Sequence, residues 1–218
     1  MTEQPIGAVL FDLDGTLIDS EPIWAVAEAE LAARYGVDWT AADNRHTRGW
    51  ALEDAAQYMR ERGVDLPAGE IIDAMEAVVN EQLRESVPWA VPGARLLAEC
   101  RERQIPTAIV TMSRRAAVEI VLAALPPDMV QVSIAGDEVR RGKPDPEPYL
   151  RAIEALDVRP EECVVLEDSV TGTTAGLAAG CRVVTVGPLA GTIPGAGGLG
   201  PDAGLSELLA AAGLEASV

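Results

Sequence analysis

Four short apolar runs, each ended by polar residues and separated by helix-like stretches, constrain this chain more than any other feature. Residues 8–11 (AlaValLeuPhe) stop at Asp12-Leu13-Asp14-Gly15-Thr16. Residues 107–110 stop at Thr111, 163–166 at Glu167-Asp168, and 182–186 at Gly187-Pro188. Residues 131–135 form a weaker fifth run. Runs this short, rich in Val and Ile and closed by polar or Gly residues, read as strands buried on both faces. Between them, 93–103 carries Leu96, Leu97 and Cys100 at helical spacing, and 114–125 carries Val118, Val121, Leu122 and Leu125. Asp145 is placed to cap a helix that begins at Pro146 and runs to about Leu156. Another helix starts at Ser169 or Thr171 and is stopped by Gly180, and a short final one covers 205–212. Alternating strands and helices predict an α/β fold with a parallel sheet covered by helices.

Residues 20–87 break the alternation. They read as helices only, at 21–35 before Gly36, 52–62 before Gly63, and 68–86 before Pro88. The simplest account is an all-helical insertion between the first and second strands. It carries 14 acidic and 6 basic side chains, so it is no basic binding arm. The Gly-rich stretch 191–201 reads as a flexible surface loop, and its glycines lack the strand and Lys-Ser/Thr context of a phosphate loop.

Charge removes several function classes. The 218 residues include 35 acidic and 17 basic side chains, a formal charge of −18. A chain this acidic has no surface for neutralising a nucleic-acid backbone or an anionic membrane. No apolar stretch reaches the ~18 residues a membrane span needs, and Met1-Thr2-Glu3-Gln4-Pro5 has no signal-peptide pattern. Cys100, Cys163 and Cys181 are odd in number and far apart, which suits small buried hydrophobes in a reducing cytoplasm. A monomer or weak dimer is the expected state.

In open parallel sheets, ligands bind beyond the carboxyl ends of the strands. Those ends carry Asp12, Asp14, Thr111, Glu167 and Asp168. Four carboxylates gathered there need a cation, and an oxygen-only ligand set suits Mg²⁺ with water and substrate phosphate completing its shell. Asp12, beside the metal, would be the nucleophile. Asp14 would be the general acid, the two carboxyls being set apart by environment. Thr111 can donate to a phosphoryl oxygen. Lys143 is the single Lys among 16 Arg, in the Pro-flanked loop Arg141-Gly142-Lys143-Pro144. It supplies a compact point charge for Asp12 and the phosphoryl group.

In order and spacing these residues resemble the haloacid dehalogenase superfamily. Asp12-Leu13-Asp14-Gly15-Thr16 matches its first motif, Thr111 its second, Lys143 its third and Glu167-Asp168-Ser169 its fourth. The resemblance implies a Rossmann-like core at 1–17 and 88–218, with an inserted helical cap at 18–87. It implies a phosphoaspartyl intermediate on Asp12, and Mg²⁺ held by Asp12, the Asp14 backbone carbonyl and Asp168, with Glu167 contributing to the metal site from behind or through water. Members that cleave carbon–halogen bonds lack the second aspartate, and phosphonate-cleaving members use a cap lysine, so phosphoryl transfer is expected.

The expected substrate is a small phosphorylated metabolite, most simply a sugar phosphate. A mutase resembling β-phosphoglucomutase is the competing enzyme class, and a non-catalytic phospho-ligand or partner-binding module is the other alternative. Against the mutase, Trp24 stands where that enzyme has His, and Leu52 where it has a cap Arg. Met112 departs from the small or Asn residue usual after the second-motif Thr. The backbone of Met112, Ser113, Trp24, Arg45 and Arg48 are the candidate substrate contacts. The plainer reading pairs Arg45 or Arg48 with nearby acids such as Asp43 and Glu53. The Gly172, Gly176, Gly180 spacing reads as close helix–sheet packing.

Overall fold

The structure is a computed structural model that describes residues 6–48 and 50–214. It divides into two compact units, one running to Asp19 and resuming at Pro88, the other Ser20–Val87. Ile18 stays with the first unit, where it bridges both Asp14 and Trp89.

The first unit begins with β1 (Ala8–Phe11). The second unit follows with α1 (Glu21–Arg34), α2 (Ala41–Thr47), α3 (Leu52–Arg62) and α4 (Ala68–Glu85). The first unit then continues with α5 (Gly93–Glu102), β2 (Thr107–Val110), α6 (Arg115–Ala123), β3 (Val132–Ile134) and α7 (Glu147–Leu156). It ends with β4 (Cys163–Glu167), α8 (Val170–Ala178), β5 (Arg182–Thr185), β6 (Gly197–Gly198) and α9 (Leu205–Ala211).

The six strands form one parallel sheet in the order β3-β2-β1-β4-β5-β6. The expected α/β fold is present. Strand side chains alternate between faces, and here both sets are buried. Ala8, Leu10, Ala108, Val110, Val165 and Val183 join Tyr149, Ala152 and Ile153 of α7 and Ala175 of α8 in one core. Val9, Phe11, Ile109 and Leu166, on the alternate positions, are equally inaccessible. Burying a side chain of this size is worth about 1.5–3 kcal/mol, and the central strands carry almost nothing else. Cys100, Cys163 and Cys181 are free thiols buried in this unit, as small apolar residues would be.

In the second unit α4 packs against α1 and α3, with Ile71, Met75, Val79 and Leu83 buried. Three of its helices match the sequence periodicity; α2 does not. No helix is expected from the sequence between 35 and 52. Instead Thr40 caps α2, accepting from the Ala42 and Asp43 N–H groups, while Asp43 accepts from the Thr40 N–H at 2.8 Å. This reciprocal cap satisfies three of the N–H groups a helix start leaves open, those of Thr40, Ala42 and Asp43.

Two other expectations are corrected. Pro146 precedes α7 as its cap and is not its first residue, although the Asp145 carboxylate still accepts from the Glu147 N–H at 3.0 Å. The 191–201 stretch is tied down: the Thr185 hydroxyl takes the Gly191 N–H and reaches the Leu189 and Gly197 carbonyls. Two of its glycines form β6 beside β5. Among the described residues no helix is long and apolar enough to cross a membrane.

Candidate active site

Sheet register assembles the site. Phe11 of β1 lies level with Ile109 of β2 and Leu166 of β4. The next residue on each strand is therefore Asp12, Val110 and Glu167, three neighbours in one row at the carboxyl edge. The ammonium of Lys143 sits on that row. It donates to Asp12 Oδ1 at 2.7 Å, to Glu167 Oε1 at 2.6 Å and to the Val110 carbonyl at 2.8 Å. An ammonium has three protons, so all three are used. The side chain is only 3% exposed.

Glu167 is likewise saturated. Its Oε1 accepts from Lys143 and, at 2.8 Å, from the Tyr149 hydroxyl; its Oε2 accepts from the Ser169 N–H and hydroxyl. A carboxylate offers about four lone-pair directions, and these four donors occupy them. Glycine at 172 makes room, because a Cβ there would lie 1.7 Å from Glu167 Oε1. A Cβ at Gly176 would meet Val183 at 2.9 Å, so this part of the glycine spacing is helix–sheet packing. Ser169 also caps α8 by accepting the Gly172 N–H.

Asp12, Glu167 and Asp168 bring carboxylate oxygens within 4.8 Å of one another. Gly15 has φ of +80°, a left-handed conformation that costs most residues but not glycine, and its missing Cβ leaves space for Asp168 Oδ2. Burial, then the nearby Glu167 charge, raises the Asp12 carboxyl well above its ordinary range, and Lys143 only partly reverses this. Burial, then Glu167 and Asp14, push Asp168 up to about 7. Burial pulls the Lys143 ammonium down, but Asp12 and Glu167 outweigh it and the net shift is upward. Burial and the same two acids raise Tyr149 far above the ordinary phenol range. The site thus holds more buried negative charge than one ammonium balances. A hard divalent cation on Asp12 and Asp168 fits this donor chemistry.

Asp14 lies beside the end of β2. Its Oδ2 accepts from the Ser113 hydroxyl at 2.5 Å and lies 3.5 Å from the Thr111 hydroxyl. Ser113, expected against substrate, thus has its hydroxyl on Asp14. Met112 is 43% exposed, and its sulfur accepts the Lys143 N–H at 3.4 Å. That side chain lies over Gly142, where a Cβ would meet its methyl at 2.3 Å.

The remaining sequence candidates belong to the second unit. Trp24 is half-buried on α1 and Arg45 is exposed on α2. Arg48 pairs with Glu21 at 3.2 Å. Asp43 is engaged by Arg62 through two nitrogens, together with Tyr58 and Thr40, and not by Arg45 or Arg48. These hydrogen bonds, the Arg62 one foremost, hold its carboxyl well below the usual range. His46 packs against the rings of Trp50 and Tyr58, at centroid distances of 4.6 and 4.9 Å.

Sequence reasoning missed Tyr149 and the Val110 carbonyl. Tyr149 had a signal: it shares the apolar face of α7 with Ala152 and Ile153, and a buried Tyr needs a partner for its hydroxyl.

A family model for haloacid dehalogenase-like hydrolases matches residues 6–180. Hexitol phosphatase A of Escherichia coli K12 is 35% identical over 188 residues, covering 84% of each chain. A phosphorylated carbohydrates phosphatase of Thermotoga maritima is 34% identical, covering 79% of this chain and 81% of its own. Among solved structures, CbbY from Rhodobacter sphaeroides in complex with phosphate aligns with a TM-score of 0.75 and 31% identity, covering 93% of this chain and 99% of that one.

Proposed function

Because this chain belongs to the haloacid dehalogenase-like hydrolases, we propose that it is a Mg²⁺-dependent phosphatase of small sugar or polyol phosphates working through an aspartyl-phosphate on Asp12. The observation that carries this reading is the Asp12–Lys143–Glu167 row with Asp14 beside it. Lys143 holds Asp12 by one oxygen and offsets part of the rise that burial imposes on its carboxyl; a cation beside Asp12 would supply the rest of the charge that a nucleophilic carboxylate requires. Asp12 attacks phosphorus, the ester P–O bond breaks, and Asp14 gives its proton to the departing oxygen. Asp14 then takes a proton from the water that opens the acyl phosphate. The Thr111 hydroxyl and the Met112 N–H are the phosphoryl-oxygen donors on the β2 side.

Mg²⁺, held by Asp12, Asp168 and the Asp14 backbone carbonyl, would supply charge neutralisation at the phosphoryl oxygens. Glu167 supports this site through Lys143, since Tyr149, Ser169 and Lys143 occupy its oxygens. Residues 20–87 are assigned as the cap, and Trp24, Arg45 and Arg48 are its candidate residues for recognising the sugar, Arg48 being paired with Glu21. The intact Asp14 speaks against a binding-only module, which needs no proton donor. Leu52 and Trp24 speak against a mutase.

Phosphate release from a panel of hexose, hexitol and pentulose phosphates, with Mg²⁺ and with EDTA, tests the reading. Release that depends on Mg²⁺ and falls at least about 10³-fold in Asp12→Asn is expected. Release surviving both EDTA and Asp12→Asn would refute the mechanism. Conversion of β-glucose 1-phosphate to glucose 6-phosphate without free phosphate would favour the mutase, and tight binding without turnover the binding module.

A further inference from the structure

We propose that Ser113 is a positioning residue for the acid–base Asp14. The inference rests on the phosphatase reading above and concerns how its proton is delivered. The Ser113 hydroxyl donates to Asp14 Oδ2 at 2.5 Å, the shorter of two contacts that oxygen makes with the end of β2.

The backbone that presents Ser113 is pinned on both sides. The Thr111 N–H donates to the Ile134 carbonyl at 3.0 Å, and the Gly136 N–H donates to the Ser113 carbonyl at 2.9 Å. The Ser113 N–H in turn donates to the Thr111 hydroxyl at 2.9 Å. Gly136 must be Gly for this: a Cβ there would lie 2.1 Å from the Met112 carbonyl oxygen. The hydroxyl therefore reaches Asp14 from a rigid turn fastened to β3.

Two consequences follow from chemistry. The bond fixes the plane of the Asp14 carboxyl, so the acid does not have to find its orientation in each turnover. It also strengthens as the reaction proceeds. When the ester P–O bond breaks, its electron pair goes to the leaving oxygen, which takes the Asp14 proton; what remains is a carboxylate. A hydroxyl bonds a carboxylate about twice as strongly as a neutral carboxyl. Ser113 thus stabilises charge that develops only in the transition state, which is the condition for raising rate and not merely affinity.

The test compares two aryl esters of nearly the same shape. The p-nitrophenolate of p-nitrophenyl phosphate leaves with little help from an acid; the phenolate of phenyl phosphate needs the proton. The kcat/KM for each reports steps through attack by Asp12. Ser113→Ala keeps both backbone bonds and removes only the hydroxyl. It is expected to lose about tenfold in kcat/KM on phenyl phosphate and less than about threefold on p-nitrophenyl phosphate. Ser113→Thr, which restores a hydroxyl, should recover most of the phenyl phosphate rate. Equal losses on both esters, or no loss on either, would overturn the proposal, as would a Thr variant no better than Ala. A wild-type protein inactive on both esters would instead refute the phosphatase reading, and this inference with it.

Discussion

Tyr149→Phe isolates one hydrogen bond to a completely buried carboxylate. Phe keeps the ring in the core with Ala152 and Ile153 and removes only the hydroxyl, which donates to Glu167 Oε1 at 2.8 Å. Tyr149 and Glu167 are both 0% exposed, so no water replaces the lost donor. Hydrogen bonds to charged groups contribute about 1.5–3 kcal/mol. Lys143 still holds the same oxygen at 2.6 Å, which places the expected loss in the lower part of that range, about 2 kcal/mol. For a chain of this length that corresponds to a fall in Tm of roughly 4–8 °C. Urea unfolding followed by circular dichroism should show a lower midpoint with an unchanged m-value. A double-mutant cycle with Glu167→Gln assigns the loss to this pair: the two changes should be coupled by more than about 0.5 kcal/mol. A Tyr149→Phe variant within about 0.5 kcal/mol of wild type, or a cycle with no coupling, would refute the argument that the Tyr149 hydroxyl is needed to satisfy the buried Glu167 carboxyl group.

The helical unit offers two further tests. Burial, eased by the Thr47 hydroxyl at 3.0 Å, raises Glu28 from 4.5 to about 6, with Glu21 and Asp43 adding repulsion. The folded state then binds this proton more tightly than the unfolded one, so its stabilising share is complete below about pH 4.5 and lost as pH rises through about 6. Glu28→Gln should therefore be more stable than wild type at pH 7.5, by about 1 kcal/mol after solvent screening, and the difference should vanish near pH 4.5; paired urea curves at the two pH values measure it. Asp43 has the opposite sign. Its depressed carboxyl stabilises the fold above the ordinary carboxylate range and loses that effect as pH falls through its folded value. Asp43→Ala, which removes the partner of Arg62, Tyr58 and Thr40 together, should lower the urea midpoint at pH 7 clearly more than Asp38→Ala, and an equal effect would contradict the network.

What was legible in the sequence is what local pattern decides. Strands at Ala8–Phe11 and Thr107–Val110 are written in their apolar runs, and the parallel sheet follows from their alternation with helices. The position of α2 was also written locally, in Thr40 and Asp43 three residues apart, but its helix is only seven residues long and has little apolar periodicity to support it. Pairings across the fold were not legible. Asp43 has several acids and bases at comparable sequence distance, and it is the packing of α3 beside α2 that selects Arg62, 19 residues away. Ser113 looked like a substrate contact because it follows the second motif. Only the fastening of its carbonyl to Gly136 shows that the hydroxyl is turned to Asp14.

Lys143 joins the two kinds of information. Its rarity, one Lys among 17 bases in a chain of charge −18, was visible at once. The reason lies in the row formed by β1, β2 and β4. The acceptors there are two carboxylate oxygens and one backbone carbonyl, on three different strands, all within 2.8 Å of a single nitrogen. A tetrahedral ammonium can direct one proton to each. A guanidinium spreads its donors over a planar fork, and it would need more width than a group only 3% exposed has available. The same saturation limits what Lys143 does for a bound phosphoryl group. It acts as a fixed charge behind Asp12, and any direct hydrogen bond to substrate would have to displace Asp12, Glu167 or the Val110 carbonyl. On the proposed reading, charge neutralisation in front of Asp12 would come from a cation on the Asp168 side. The Asp12, Glu167 and Asp168 oxygens lie within 4.8 Å of one another, an arrangement that fits the proposed division of labour between one fixed ammonium and one divalent ion.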